Sequence, residues 1–281
     1  EYEALMRNAI GHAYKEYRQL DKAQQQLEIA LRLRRDILDP PDADLADTLS
    51  SLGDVYRRLK MTDRAMDLIS ESMEMRAVLF DPPHPAIAQS LNTMAGLLQR
   101  RGNFQEAEEM YRKALKMRRT LQEQGRLKNP ALLAASLSNL GNFLAELGKN
   151  GQAEGYFRAA LAVLQDHGFD KDSKAAMVMG LLGRCLWRLG KYEEAGRFLE
   201  QALEIKRARL GPSNPSVAWT LHDLALLQHD RGAFDQAERL CREALAMRRK
   251  AFPNGHRTTA ASLGLLGRIL IAQGNAGDAE Q

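Results

Sequence analysis

The first cluster of side chains that could do chemistry is polar and positively charged. It consists of Arg58, Asn92, Arg100, Asn139 and Asn142. Side-chain amides can hydrogen-bond the backbone of an extended peptide, and a guanidinium can bind a carboxylate through two parallel hydrogen bonds. The cluster is therefore typical of a surface that binds an extended, acidic peptide. The alternative is an ordinary solvated polar surface.

A second cluster combines positive charge with apolar side chains. Its polar members are Arg184 and Arg188, and its apolar members are Met177, Leu181, Trp187, Trp219 and Leu226. His222 is a separate candidate for peptide binding. This combination favours an apolar pocket beside positive charge. The alternative is that the two tryptophans pack between adjacent helices.

No motif for catalysis or metal binding accompanies these clusters. The sequence has no phosphate loop, no dinucleotide-binding glycine fingerprint, no His-Glu-x-x-His and no Gly-x-Ser-x-Gly. The histidines never have the close spacing of metal ligands, and we interpret Cys185 and Cys241 as reduced structural thiols. We therefore predict a protein that is not an enzyme and has no cofactor or metal.

The clusters must be positioned by a repeat of 42 residues, with one step of 46. A small residue marks each repeat at Gly11, Gly53, Ala95, Gly141, Gly183, Ala225 and Gly267. A second small residue follows 12 positions later, at Ala23, Ala65, Ala107, Ala153, Ala195, Ala237 and Ala279. Self-similarity at such a period indicates a stacked repeat protein.

Each repeat is predicted to contain two helices. The apolar spacing from Ala88 to Leu98 gives one stripe of an amphipathic helix, here called helix A. The spacing of Ala107, Tyr111 and Ala114 gives the second helix, helix B. Glycines predict a left-handed turn between the two helices at Gly102, Gly148, Gly190, Gly232 and Gly274. Side chains that can cap the start of helix A are Asp42, His84, Asp172 and Asn214.

These positions resemble the tetratricopeptide repeat, whose pattern is matched by Ile10–Gly11, Tyr14, Ala23, Leu27 and Ala30. The 42-residue period and the connectors at 80–85 and 210–218 are similar to those of kinesin light chains. The resemblance implies an all-α, right-handed superhelical solenoid of antiparallel helix pairs. It implies one domain over 1–281, with repeats at 1–41, 42–83, 84–128, 129–171, 172–213, 214–255 and 256–281, the last incomplete.

In this family helix A lines the concave side, so the resemblance places both clusters in a groove. The position directly after each marker varies, as expected for residues that face a ligand or water: His12, Asp54, Gly96, Asn142, Arg184, Leu226 and Arg268. The first cluster also resembles the asparagine-rich groove with which light chains grip cargo peptides. We therefore expect a protein-binding scaffold for an acidic peptide. Alternatives are a kinesin-light-chain-like cargo adaptor and the regulatory repeat region of a larger signalling ATPase or protease.

A series of basic residues recurs near the end of helix B: Arg34, Arg76, Arg118, Lys206 and Arg248. Because a helix dipole favours a cation at this end, we predict solvated helix ends rather than a phosphate-binding stripe. The net charge of +4 is too small to indicate nucleic acid. The lack of a long apolar run or a signal peptide predicts a cytoplasmic protein without membrane insertion.

Two expectations concern irregular parts of the array. The four extra residues of the 46-residue step fall near 122–129 and should lengthen helix B or its connector. The chain stops at Gln281, about two turns into the seventh helix B, so we expect it to be part of a longer protein. Self-association through this truncated repeat is a further possibility.

Overall fold

The computed structural model describes residues 1–252 and 256–274, and this part of the chain contains thirteen α-helices and no β-strand. The helices are α1 (Tyr2–Glu16), α2 (Leu20–Ile37), α3 (Ala43–Arg58), α4 (Thr62–Leu79), α5 (Pro85–Arg101), α6 (Phe104–Glu123), α7 (Ala131–Glu146), α8 (Asn150–Asp166), α9 (Ser173–Arg188), α10 (Tyr192–Leu210), α11 (Pro215–Asp230), α12 (Phe234–Ala251) and α13 (Arg257–Ala272). Odd numbers are helices A and even numbers are helices B. The predicted seventh helix B, with Ala279 and the self-association surface expected there, lies outside the described residues.

The chain divides into two compact units, Glu1–Leu140 and Gly141–Gln281. Within each unit, successive helices A approach each other closely, as α1, α3 and α5 do in the first unit and α9, α11 and α13 in the second. The helices B of the same units show no such approach. They are joined instead by ion pairs between long side chains, such as Arg35–Glu71 and Arg207–Glu243, each at 2.5 Å. Helices A therefore form the more tightly packed side of each unit.

The predicted contact between the two small-residue series is confirmed. A Cβ atom added to Gly183 would lie 2.6 Å from Cγ of Leu199 and 3.2 Å from the carbonyl oxygen of Ala195. A Cβ atom added to Gly11 would also lie 2.6 Å from Cγ of Leu27. One added to Gly53 would lie 2.8 Å from Cδ1 of Ile69. The glycine marker is therefore a space requirement, because helix B crosses helix A at that point.

The predicted turns and caps are also present. Gly102 and its four equivalents all have positive φ, between 75° and 86°. The same left-handed turn occurs in the first two repeats at Arg18 and Lys60, where the sequence has no glycine. The side chains of Asp42, His84, Asp172 and Asn214 each accept a hydrogen bond from a backbone N–H of the following helix A.

The four extra residues of the long step are shared between helix and connector. Helix α6 ends at Glu123, two residues beyond the equivalent of Leu79, where α4 ends. The connector that follows spans seven residues, 124–130, whereas the previous one spans five, 80–84. Both options in the prediction thus hold in part.

The expectation of solvated basic helix ends is wrong. Arg34, Arg76, Arg118, Lys206 and Arg248 are all buried, and Arg118 is only 2% exposed. Each cation hydrogen-bonds a Ser or Thr hydroxyl of the next helix A: Thr48, Ser90, Ser136, Thr220 and Ser262. The four arginines also donate to a backbone carbonyl in the first turns of that helix. These cations join one repeat to the next, and we call them the cation series.

The fourth repeat shows the apolar alternative to this contact. Leu164 occupies the place of the cation and Val178 the place of the hydroxyl, and both are buried. A cation therefore occurs where the next helix offers a hydroxyl, and an aliphatic side chain occurs where it does not. This pairing within one chain indicates that inter-repeat packing selects the residues.

Candidate functional site

The helix A surface has one position per repeat that is tied to the cation series. It lies 29 residues before each cation and holds Asp47, Gln89, Met177 and Trp219 for Arg76, Arg118, Lys206 and Arg248. Asp47 and Gln89 accept hydrogen bonds from the second guanidinium nitrogen of their arginines. A lysine has no second branch, and its partner position holds the apolar Met177. Part of this surface is therefore occupied by hydrogen bonds to the cation series.

The first predicted cluster is divided by the structure. Asn92 and Asn139, on α5 and α7 of the first unit, line one cavity of about 180 Å³ together with Asp54. Arg58 lies beside it, since its Nε donates to Oδ2 of Asp54 at 3.0 Å. Asn142 belongs to the second unit, and its Nδ2 donates to Oε1 of Glu146 at 2.8 Å.

Asn92 is buried, contrary to its expected place on an open polar surface. It is 6% exposed, and its Nδ2 donates to the backbone oxygen of Ala88 at 3.1 Å and to Oγ of Ser136 at 2.8 Å. Within the described residues its Oδ1 has no hydrogen-bond partner. Asn139 is exposed at the edge of the same cavity.

Asp54 carries a fixed negative charge at this site. Burial alone would raise the pKa of its carboxyl, but Arg57 and Arg58 hold the pKa below its usual value. Arg57 binds Oδ1 at 2.6 Å and Arg58 binds Oδ2 at 3.0 Å. The carboxylate is thus neutralised by two arginines, which leaves a net positive charge around it.

Arg100 and Arg188 occupy equivalent positions in the two units and have the same environment. Both are exposed. Arg100 donates to the carbonyl oxygen of Arg57 at 2.8 Å, and Arg188 donates to that of Ala145 at 3.2 Å. Each therefore caps the last turn of the preceding helix A, where free carbonyls favour a cation. Neither forms an ion pair with a carboxylate in the described part of the chain.

The second predicted cluster surrounds a carboxyl group that the sequence reading missed. Asp223 on α11 lies 3.8 Å from Nε of Arg184, and its side chain is 15% exposed. Burial raises the pKa of Asp223 to about 6, although the charges of Arg184 and Lys206 lower it. Its equivalents in other repeats, such as Ser51 and Thr93, are neutral, so no repeated pattern marked this position.

Trp219 and His222 lie beside Arg248 of the cation series. The guanidinium carbon of Arg248 lies 4.9 Å from the centroid of the Trp219 ring, a cation–π distance. Trp219 thus takes the place that Asp47 and Gln89 take for their arginines, and it remains 49% exposed. Burial, followed by the charge of Arg248, lowers the pKa of His222 to about 4. His222 is therefore neutral at physiological pH.

Comparison with known families decides what kind of array this is. A tetratricopeptide repeat model matches residues 2–77, 44–120, 132–208, 174–250 and 216–281, and a second tetratricopeptide repeat model matches 93–167. The chain belongs to the tetratricopeptide repeat family. Over 77 residues it is 38% identical to nephrocystin-3 of Xenopus laevis. The matched segment covers 27% of this chain and 6% of nephrocystin-3. This chain therefore spans only a small part of that relative's length.

Several solved structures have the same fold. BtubC (BKLC) from P. vanneervenii is 26% identical with a TM-score of 0.66, over 78% of this chain and 87% of BtubC. A putative kinesin light chain from Podosopora anserina is 19% identical with a TM-score of 0.57, over 72% of this chain and 94% of the other. A Rap protein complexed with Competence and Sporulation Factor is 17% identical with a TM-score of 0.65, over 99% of this chain and 76% of Rap. This repeat array thus has kinesin-light-chain-like structural neighbours.

The described residues lack two features that would indicate other functions. No described helix combines the length and apolarity needed to cross a membrane. Among the same residues, no group of three or more His, Cys, Asp or Glu side chains is placed to hold a metal ion.

Proposed function

We propose that this tetratricopeptide repeat chain is a non-catalytic scaffold that binds an extended, acidic segment of a partner protein on its helix A surface. The observation that carries the proposal is the pair Arg100 and Arg188. Both are exposed cations without a carboxylate partner in the described residues, and both are held by a helix C-terminus. A carboxylate of a bound peptide would complete their hydrogen bonding.

The surroundings of these arginines also support an acidic ligand. In the first unit, the partly buried carboxylate of Asp54 is already neutralised by Arg57 and Arg58. In the second unit, Arg184 lies 3.8 Å from Asp223, and a guanidinium nitrogen of Arg268 lies 3.5 Å from Nδ1 of His229. Positive charge thus exceeds negative charge around both sites. The Rap protein complexed with Competence and Sporulation Factor offers a precedent for ligand binding by this fold, at an identity too low to transfer the ligand.

The test is an array of extended dodecapeptides in three classes, acidic, neutral with Asn and Gln in place of Asp and Glu, and basic. Acidic peptides should bind, and added salt should weaken their binding because exposed charges are screened over about 8 Å at physiological ionic strength. Arg100→Glu should weaken the binding of acidic peptides to the first unit about tenfold, and Arg188→Glu should do the same for the second unit, as expected for a partly exposed charged hydrogen bond.

Matched controls are Arg32→Glu and Arg239→Glu, which reverse exposed arginines on helices B of the first and second unit. They change the net charge equally but should leave peptide affinity unchanged. Arg34 and Arg248 cannot serve as controls because both are buried. Equal losses for all four variants would show diffuse charge attraction and would overturn the proposed surface, as would binding of all three peptide classes alike.

A further inference from the structure

The cavity between α3, α5 and α7 has a shape that depends on one glycine. Gly96 lies on α5 at the position that carries His12, Asp54 or Asn142 in other repeats. A Cβ atom at Gly96 would meet only Oη of Tyr111, at an ordinary contact distance of 3.5 Å. Packing therefore does not require a glycine here, although glycine costs about 1 kcal/mol in a helix. Its effect is to open a cavity of about 180 Å³, which we call the Gly96 pocket.

Asn92 lines this pocket, and its Oδ1 is a buried hydrogen-bond acceptor with no partner among the described residues. The orientation of the Asn92 amide is fixed, because a flip would set its oxygen against the backbone oxygen of Ala88, which now accepts from Nδ2. Its Oδ1 is therefore the group left without a partner among the described residues. A buried acceptor in this state is costly, and a donor from a ligand would satisfy it.

The other walls determine which donor fits. Both oxygens of Asp54 are bound by arginines, and Oε1 of Gln89 accepts from Arg118 at 2.8 Å. Among the described residues that line the pocket, no anion is free to hold an ammonium group, and the nearby arginines repel one. An ionised carboxylate has no proton to donate to Asn92. A carboxamide has two N–H donors and a carbonyl that the exposed amide of Asn139 can bind.

We propose that the Gly96 pocket binds the carboxamide side chain of an Asn or Gln residue in the bound peptide. Its N–H donates to Oδ1 of Asn92, and its carbonyl accepts from the side-chain amide of Asn139. The volume of the pocket suits one such side chain. This inference rests on the proposed peptide-binding function for its ligand, but the pocket itself can be tested without a peptide.

The direct test uses propionamide, propionate and propylammonium as probes, each titrated into the isotope-labelled protein and followed by NMR. Propionamide should shift the side-chain amide signals of Asn92 and Asn139, and the two charged probes should not. The variant Gly96→Leu should abolish the effect; leucine already stands at the equivalent Leu226. The control Gly264→Leu changes a helical glycine with open space around it and should retain the effect. Equal shifts with all three probes, no shift, or the same response in Gly96→Leu would overturn the pocket.

The peptide test separates this inference from the proposed function. In the best acidic dodecapeptide, one position is varied among Asn, Gln, Asp and Leu. At one register, Asn or Gln should bind about tenfold more tightly than Asp or Leu, and this preference should vanish in Gly96→Leu but not in Gly264→Leu. If no acidic peptide binds while propionamide still shifts Asn92, the proposed function fails and the pocket stands. If acidic peptides bind without any carboxamide preference, the carboxamide ligand is refuted and the function stands.

Discussion

Replacing the Arg34–Thr48 contact by an apolar pair should leave the protein about as stable as before, although either single change should destabilise it. Arg34 reaches from α2 to α3, where it donates to the hydroxyl of Thr48 and to the carbonyl oxygen of Asp44. The chain already contains the apolar version of this contact, Leu164 with Val178. The three variants are Arg34→Leu, Thr48→Val and the double variant.

The expected magnitudes follow from which polar groups each change leaves unpaired. Thr48→Val keeps the shape but leaves a buried guanidinium with one partner fewer, which costs about 1.5–3 kcal/mol. Arg34→Leu costs less, about 1–2 kcal/mol, because Thr48 still donates to the carbonyl oxygen of Asp44 at 3.0 Å. The double variant removes both the charge and the hydroxyl and should lie within about 1 kcal/mol of the native protein. The two changes should therefore be strongly non-additive.

The assay must resolve one interface, because repeat arrays can unfold in parts. Urea unfolding gives the overall loss, and amide hydrogen exchange of α3 reports the local free energy of opening. The reciprocal variant, Leu164→Arg with Val178→Thr, should install the polar contact between α8 and α9. If the double variant loses as much stability as the two single variants together, the cation and hydroxyl act separately and the reasoning is refuted.

Three further predictions concern turn, packing and charge. Lys60→Gly should raise the free energy of unfolding by about 1 kcal/mol in urea melts, since Lys60 has a φ of 64° that glycine adopts without strain. Gly183→Ala should lower the melting temperature because Leu199 leaves no room for a Cβ, whereas Gly264→Ala should raise it through helix propensity. Asp223 has its pKa raised to about 6 from 3.8, so its ionised form opposes folding above pH 6. Asp223→Asn should stabilise the protein by up to about 3 kcal/mol at pH 7.5, a gain that thermal melts should show disappearing near pH 4.

The helix pairs could be predicted from the sequence because their signals are local. The marker glycine and the apolar stripe of helix A lie within about three turns of each other, and the cap residues precede them directly. The turn was harder to predict in the first two repeats. There Arg18 and Lys60 adopt positive φ although neither residue favours it, because the same helix crossing imposes the same turn.

The cation series shows where reasoning from one helix fails. A basic residue in the last turn of a helix is favoured by the dipole, which suggested a solvated end. The environment of Arg118 is instead set by Ser136, which comes 18 residues later on the next helix A. A signal was present in the sequence, since Ser or Thr follows each cation 14 residues later, or 18 residues later for Arg118 at the long step, and Val178 follows Leu164 in the same way. This signal can be recognised only when helix B of one repeat is compared together with helix A of the next repeat.

The candidate site was predicted in part for the same reason. The exposed positions of Arg58, Arg100 and Arg188 follow from the period of helix A alone. The burial of Asn92 depends on Ser136 of the next repeat, and the opening at Gly96 depends on a side chain that is missing. Absence of a side chain leaves no pattern to recognise, so this pocket could be found only from the structure.

The position 29 residues before each cation separates stacking from recognition on the helix A surface. Asp47 and Gln89 are accounted for by the arginines they bind, and Trp219 is accounted for by its contact with Arg248. A ligand that used these side chains would have to break their contacts with the cations that join one repeat to the next. Arg100 and Arg188 hydrogen-bond only a backbone carbonyl at a helix end among the described residues, and within the same residues the Oδ1 of Asn92 has no hydrogen-bond partner. Ligand binding should therefore depend on this second set, and substitution of the first set should change stability before it changes affinity.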